Sequence, residues 1–92
     1  MKILKQSNRE RKRYLLIEGK DATYENIEKA IFDFIGVLGY SKTNPHQMKF
    51  EKNQLVVSIN KEMLNEVRVS LLMSNKDLKI IKVSGSLRKI KI

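Results

Sequence analysis

The residues of this sequence best suited to chemistry are cations and small hydroxyls near its two ends. From Ile81 to Arg88 the chain alternates. Ile81, Val83, Gly85 and Leu87 fall on one face of an extended segment, and Lys82, Ser84, Ser86 and Arg88 on the other. Lys89 and Lys91 follow, and near the other end Arg9, Arg11, Lys12 and Arg13 are clustered. Lys and Arg side chains neutralise phosphates, and Ser hydroxyls donate hydrogen bonds to phosphate oxygens. Gly85 has no Cβ and permits close backbone approach. The chemistry that this set supports is grip on a polyanion rather than bond-making. The same pattern also fits a solvated edge strand carrying Lys against aggregation.

Charge distribution separates the two readings. The formal net charge of the 92 residues is +9. Residues 1–13 hold six cations and one acid, residues 79–92 hold five cations and no acid, and residues 14–78 hold eight cations and nine acids. The excess sits wholly at the two ends, and charge spread for solubility alone would be scattered. Two concentrated segments that the fold could bring together are the footprint of a polyanion-binding surface. Nucleic acid fits better than a membrane, because no amphipathic helix carries the positive charge.

Other chemistries find little to work with. His46 is the only histidine, and no Ser or Cys nucleophile stands in a recognisable frame with it. Cysteine is absent, which excludes disulfides and thiolate metal sites and fits a reducing compartment. The acids Glu25, Glu28 and Asp33 fall on one predicted helix and Glu62 and Glu66 on another. A pair of carboxylates offers too few oxygens for a hard cation, so a solvated face is expected. Gly36 and Gly39 lie within and after a helix, not in a phosphate-cradling loop. The apolar runs are far shorter than the ~18 residues that a membrane span requires, and no secretory signal is evident, so a cytoplasmic protein without membrane contact is expected.

These groups must be positioned by a small domain. A chain of this length buries roughly 60–65% of its unfolded surface, enough for one modest core. Residues 1–10 read as a flexible basic arm and residues 11–92 as a single binding or scaffold domain. Arg11–Gly19 is the first strand. Its continuous run Tyr14-Leu15-Leu16-Ile17 suggests a central strand covered on both faces. Thr23 can cap a helix over Tyr24–Leu38, with Ile27, Ala30, Ile31, Phe34, Ile35 and Leu38 inward and Gly39 closing it. Phe32 and Phe34 are expected in or near the core. His46–Phe50 and Gln54–Ile59 form a hairpin around Glu51-Lys52-Asn53. Asn60 can cap a second helix, Lys61–Met73, with Met63, Leu64, Val67 and Leu71 inward and Ser70 a further candidate. The final strand is expected to run from Leu78 to the end, overhanging its sheet or bending at Gly85.

The order β-α-β-β-α-β predicts an α+β fold, a ferredoxin-like sandwich of a four-stranded antiparallel sheet with two helices on one face. In its usual strand order, 4-1-3-2, the first and last strands are neighbours, which brings the two basic segments together. The other sheet face is expected to be available, with Val56 and Ser58 on it as a protein-contact surface. The RNA-recognition motif shares this topology but stacks bases on aromatics of its third strand. Gln54-Leu55-Val56-Val57-Ser58-Ile59 has none, so binding through phosphates and RNA shape is the better fit. Arg68 reads equally as a phosphate contact or as an ion-pair partner of Glu62 or Glu66.

Three segments carry a resemblance. Arg11-Lys12-Arg13-Tyr14-Leu15-Leu16-Ile17-Glu18, Glu66-Val67-Arg68-Val69-Ser70-Leu71-Leu72 and Val83-Ser84-Gly85-Ser86-Leu87-Arg88-Lys89 resemble, in order and placement, motifs of the archaeal ribonuclease P protein component 2 family, related to the eukaryotic Pop-five/Rpp-fourteen subunits. Two departures are the lack of an additional helical segment common in the family and Ser58-Ile59-Asn60-Lys61 where a Cys-Ser-Arg type sequence is usual. The resemblance implies a non-catalytic subunit of ribonuclease P, the ribonucleoprotein that removes the 5′ leader from precursor tRNA. It implies that the RNA carries the metal-assisted hydrolysis, with magnesium at the RNA and no cofactor on the protein. The implied partners are the ribonuclease P RNA and the barrel-shaped ribonuclease P protein component 3, with two such pairs joining through this subunit in a heterotetramer. The alternative is a protein-interaction module of another ribonucleoprotein, with no part in tRNA maturation.

Overall fold

A computed structural model of the chain describes residues 12–90. The arm expected over residues 1–10, and the candidate residues Arg9, Arg11 and Lys91, lie outside this range. The elements run β1 (Lys12–Glu18), α1 (Tyr24–Thr43), β2 (His46–Glu51), β3 (Gln54–Asn60), α2 (Leu64–Met73) and β4 (Lys79–Ser84), with single 3-10 turns at Lys61–Met63 and Leu87–Lys89. The sheet has the order β2-β3-β1-β4 and every pairing is antiparallel. This is the expected ferredoxin-like arrangement.

Strand periodicity builds the main core. Leu15 and Ile17 of β1 and Leu55, Val57 and Ile59 of β3 point to the helix layer, where Ile27, Ala30 and Ile31 of α1 and Val67 and Leu71 of α2 meet them. At roughly 25 cal/mol per Å² of apolar surface, this layer is the main source of stability. Helix α1 starts where expected, with the Asn26 backbone N–H donating to Thr23 Oγ1 at 3.3 Å. The turn between β2 and β3 has Asn53 at φ 65°, a left-handed conformation that suits Asn in a tight hairpin.

Three expectations need correction. First, α1 does not end at Leu38. It kinks at Gly36, where φ is 75° and ψ −172°, and continues to Thr43. Asn44, with φ 47°, takes the left-handed capping position and donates its N–H to Tyr40 O, and Pro45 follows. Phe32 and Phe34, before the kink, and Leu38, after it, are exposed rather than inward.

Second, the last strand is short. Pairing aligns Leu16 with Lys82 but Ile17 with Ile80, so Ile81 is an extra residue in a bulge. Ile80 and Val83 therefore share the core face, and Ile81 is exposed. The strand stops at Ser84, and the chain turns through Leu87–Lys89 to bury Ile90 completely.

Third, the sheet face away from the helices is covered over its centre. Ile90 packs with Leu16 and Val56, flanked by Tyr14 and Leu87. Val56 and Ser58 are buried, so neither is available as a contact surface. The continuous apolar run of β1 is explained by the same fact, since Leu15 and Ile17 face the helices and Leu16 faces the returning tail.

Candidate nucleic-acid interface

The pairing of β1 with β4 sets Tyr14 opposite Ser84 and Leu15 opposite Val83, so the Lys12 end of β1 lies beside the end of β4. The two basic segments meet there. Arg13 donates from Nη1 to Lys12 O at 2.8 Å. Its guanidinium lies over Gly85 so closely that a Cβ at that position would stand 3.3 Å from Nη1. Any larger residue at 85 would press on the arginine. Lys82 is exposed and donates from Nζ to the backbone oxygen of Lys89 at 3.1 Å, which ties the strand to the turn after it. Arg88 and Lys89 are exposed on that turn.

The hydroxyls behave differently from the cations. Ser84 Oγ donates to Ser86 O and accepts from the Ser86 N–H, both at 3.0 Å. The Ser84 hydrogen is thus directed into the turn, where it fixes the exit from β4. Because the strand ends at Ser84, Lys82, Ser84, Ser86 and Arg88 do not form one straight row. A cluster comprising Lys12, Arg13, Lys82, Arg88 and Lys89 remains, gathered around a strand end and a turn. Among the described residues the one ion pair is Lys29–Asp33 at 3.2 Å, so no carboxylate neutralises this cluster there. Cations held together without protein counter-charge attract a polyanion, and release of its counterions favours binding.

The covered sheet face bears on how bases would be met. Tyr14, the aromatic of a central strand, packs against Leu16, Val56 and Ile90. Stacking of unpaired bases on this part of the sheet is blocked by the protein itself, and contact through phosphates and shape stays open.

Other candidates are resolved more simply. Arg68 forms no ion pair with Glu62 or Glu66 and instead lines a groove between α2 and β4 with Leu72, Leu78 and Ile80. His46 Nε2 lies 3.2 Å from Asn44 Oδ1, at the exposed start of β2. No group of three or more metal-ligating side chains occurs among the described residues, and no helix there is long and apolar enough to cross a membrane.

One cluster was missed from the sequence. Tyr40 donates its hydroxyl to Glu28 Oε2, and its ring packs on Phe32 with centroids 5.7 Å apart. Tyr24 donates to Pro45 O at 2.8 Å nearby. The bond to Glu28 raises the Tyr40 pKa, and burial, then the Glu28 charge, raises that of Tyr24. The signal was the pair Gly36 and Gly39 inside an apolar helical pattern, where a kink is one of the few reasons for two glycines.

No protein-family model matches the chain. It is 28% identical to the ribonuclease P protein component 2 of Methanococcus maripaludis strain C5 and 29% identical to that of strain C7. Each alignment of 104 residues takes in 99% of this chain and 80% of the relative. The resemblance drawn from three short motifs thus extends along nearly the whole chain.

Proposed function

We propose that this chain is a non-catalytic protein subunit of ribonuclease P, which supports removal of the 5′ leader from precursor tRNA by binding the catalytic RNA and a protein partner. The observation that carries the reading is the similarity, over 99% of the chain, to two proteins named as ribonuclease P protein component 2. The basic cluster supports it, since cations from both ends of the domain, with no carboxylate partner among the described residues, suit an RNA backbone.

Lys12, Arg13, Lys82, Arg88 and Lys89 would contact phosphates directly, joined by Arg9, Arg11 and Lys91. Ser84, Gly85 and Ser86 would shape the turn that presents Arg88 and Lys89, with the Ser86 backbone N–H and oxygen both engaged within it. The RNA would supply the hydrolytic chemistry, with magnesium bound to it. The protein partner would be the barrel-shaped ribonuclease P protein component 3, in an assembly where two pairs join through this subunit. The protein's part is electrostatic: it lowers the repulsion between closely packed RNA strands and so favours the active RNA fold.

Reconstitution tests the reading. The ribonuclease P RNA and the remaining protein subunits are assembled with or without this chain, and precursor-tRNA cleavage is followed at limiting magnesium. Addition of the chain is expected to raise the cleavage rate. An unchanged rate in an otherwise complete set would remove the assignment and leave a protein-interaction module of another ribonucleoprotein.

A further inference from the structure

The kink in α1 builds a second surface, opposite in sign to the basic cluster. In a straight helix, residues 28 and 40 would stand about 18 Å apart along the axis. The Tyr40 hydroxyl nevertheless reaches Glu28, so the segment after Gly36 folds back toward the segment before it. Two glycines make this possible. Gly36 takes φ 75°, and a Cβ on Gly39 would lie 2.6 Å from the Ile35 side chain. Glycine is unfavourable inside a helix, so each position carries a cost that ordinary packing does not require.

The product is an open groove of about 470 Å³ lined by Glu25, Glu28, Lys29, Phe32 and Tyr40. Phe32 is 46% exposed and leans against the Tyr40 ring with an interplanar angle of 57°. The two rings form an apolar wall that nothing in the described chain covers. Carboxylates stand beside it. Lys29 also lines the groove but pairs with Asp33, at 3.2 Å, and neither Glu25 nor Glu28 has a cationic partner among the described residues. Glu28 is held in place by the Tyr40 hydroxyl.

We propose that this groove is a docking site for an arginine side chain presented by a protein partner. Ring faces attract a cation, and a planar guanidinium stacks on them while forking hydrogen bonds to a carboxylate. Charge complementarity selects the occupant. The two glutamates repel nucleic acid, and a purely apolar side chain would leave them without a counter-charge. The inference rests on the groove's own geometry and stands whether or not the partner belongs to ribonuclease P.

The test titrates the isotope-labelled full chain with the amidated peptide Gly-Arg-Gly, following the ring resonances of Phe32 and Tyr40 by NMR. The control peptide carries citrulline, which keeps the shape and removes the charge. Saturable shifts at both rings are expected with arginine, with affinity lower by about tenfold for citrulline and for the E25Q/E28Q variant. The G36A variant, with its helix straightened, is expected to lose the response. If G36A does not fold, E25Q/E28Q alone decides, because glutamine removes the charges and can still accept the Tyr40 hydroxyl hydrogen bond. Absence of saturable binding, equal affinity for the citrulline peptide, unchanged affinity in E25Q/E28Q, or shifts centred away from Phe32 and Tyr40 would each overturn the proposal. RNA binding by E25Q/E28Q is measured in parallel, and its retention separates failure at the groove from failure of the RNA reading.

Discussion

The basic cluster and the groove on α1 are built in opposite ways. The cluster joins residues far apart in sequence, Lys12 and Arg13 with Lys82, Arg88 and Lys89, through one antiparallel strand pairing. The groove draws on a single helix, Glu25 to Tyr40, and depends on one backbone angle at Gly36. One is cationic and lies at the joined ends of β1 and β4. The other is aromatic and acidic and lies in the helix layer. A chain with a large positive net charge can therefore still offer a partner surface of the opposite sign, because topology gathers its cations in one place and leaves the acids of α1 in another.

This contrast can be broken from either side. The largest effect is expected from Ile90→Ala. Ile90 is fully buried against Leu16 and Val56, and its removal should destabilise the fold by about 2–4 kcal/mol, read by denaturant unfolding. It should also release the Leu87–Lys89 turn from the sheet, so that amides there exchange faster with solvent. A destabilisation below about 0.5 kcal/mol would show that the tail is not a working part of the domain.

Gly36→Ala comes next. Alanine at φ 75° and ψ −172°, a region almost confined to glycine, costs about 1–3 kcal/mol unless the helix straightens, and straightening parts Tyr40 from Glu28. Either loss of stability or loss of the Phe32–Tyr40 ring contact is expected, while RNA affinity holds.

A smaller effect concerns pH. The Tyr40 hydroxyl is a donor to Glu28, which raises its pKa above the ordinary 10.0. A folded pKa above the unfolded one means that this contribution is complete below about pH 10 and fades as pH climbs through the folded value. Phenolate absorbance should show Tyr40 titrating late, and Tyr40→Phe should remove its contribution. Titration of Tyr40 near pH 10 would deny the contact.

The smallest effect expected is that of E25Q/E28Q on RNA binding. Filter binding should give an affinity within about twofold of the unaltered chain, slightly tighter if anything, since two repelling charges are removed.

Much of this architecture could be read from residue patterns. The alternation Leu55, Val57, Ile59 located β3, Thr23 located the start of α1, and the unbroken run Tyr14–Ile17 announced a strand covered on both faces. That last signal was sound, yet the second cover, Ile90, was not identified. Alternation continues through Ser84 and Gly85 into Leu87, so nothing in the pattern marks the point where the strand gives way to a turn. Register was also hidden, because the bulge at Ile81 shifts the phase by one residue and leaves the composition unchanged. Gly36 shows the same limit at a single torsion. The pair Gly36 and Gly39 hinted at a break, but a helical repeat tolerates each glycine at about 1 kcal/mol, so the pattern predicted an ordinary helix and did not locate the positive φ that folds it back. The cations, by contrast, were legible because charge counts survive any local change of backbone and the fold order alone made their segments neighbours.

The most direct measurement of the central claim is the salt dependence of binding to the ribonuclease P RNA, compared between the unaltered chain and the variant K12Q/R13Q/K82Q/R88Q. Five to seven phosphate contacts predict a log–log slope of roughly −4 to −6, falling in magnitude by about 3 to 4 when four of the cations are removed. A slope near zero, or the same slope in both proteins, would contradict the account.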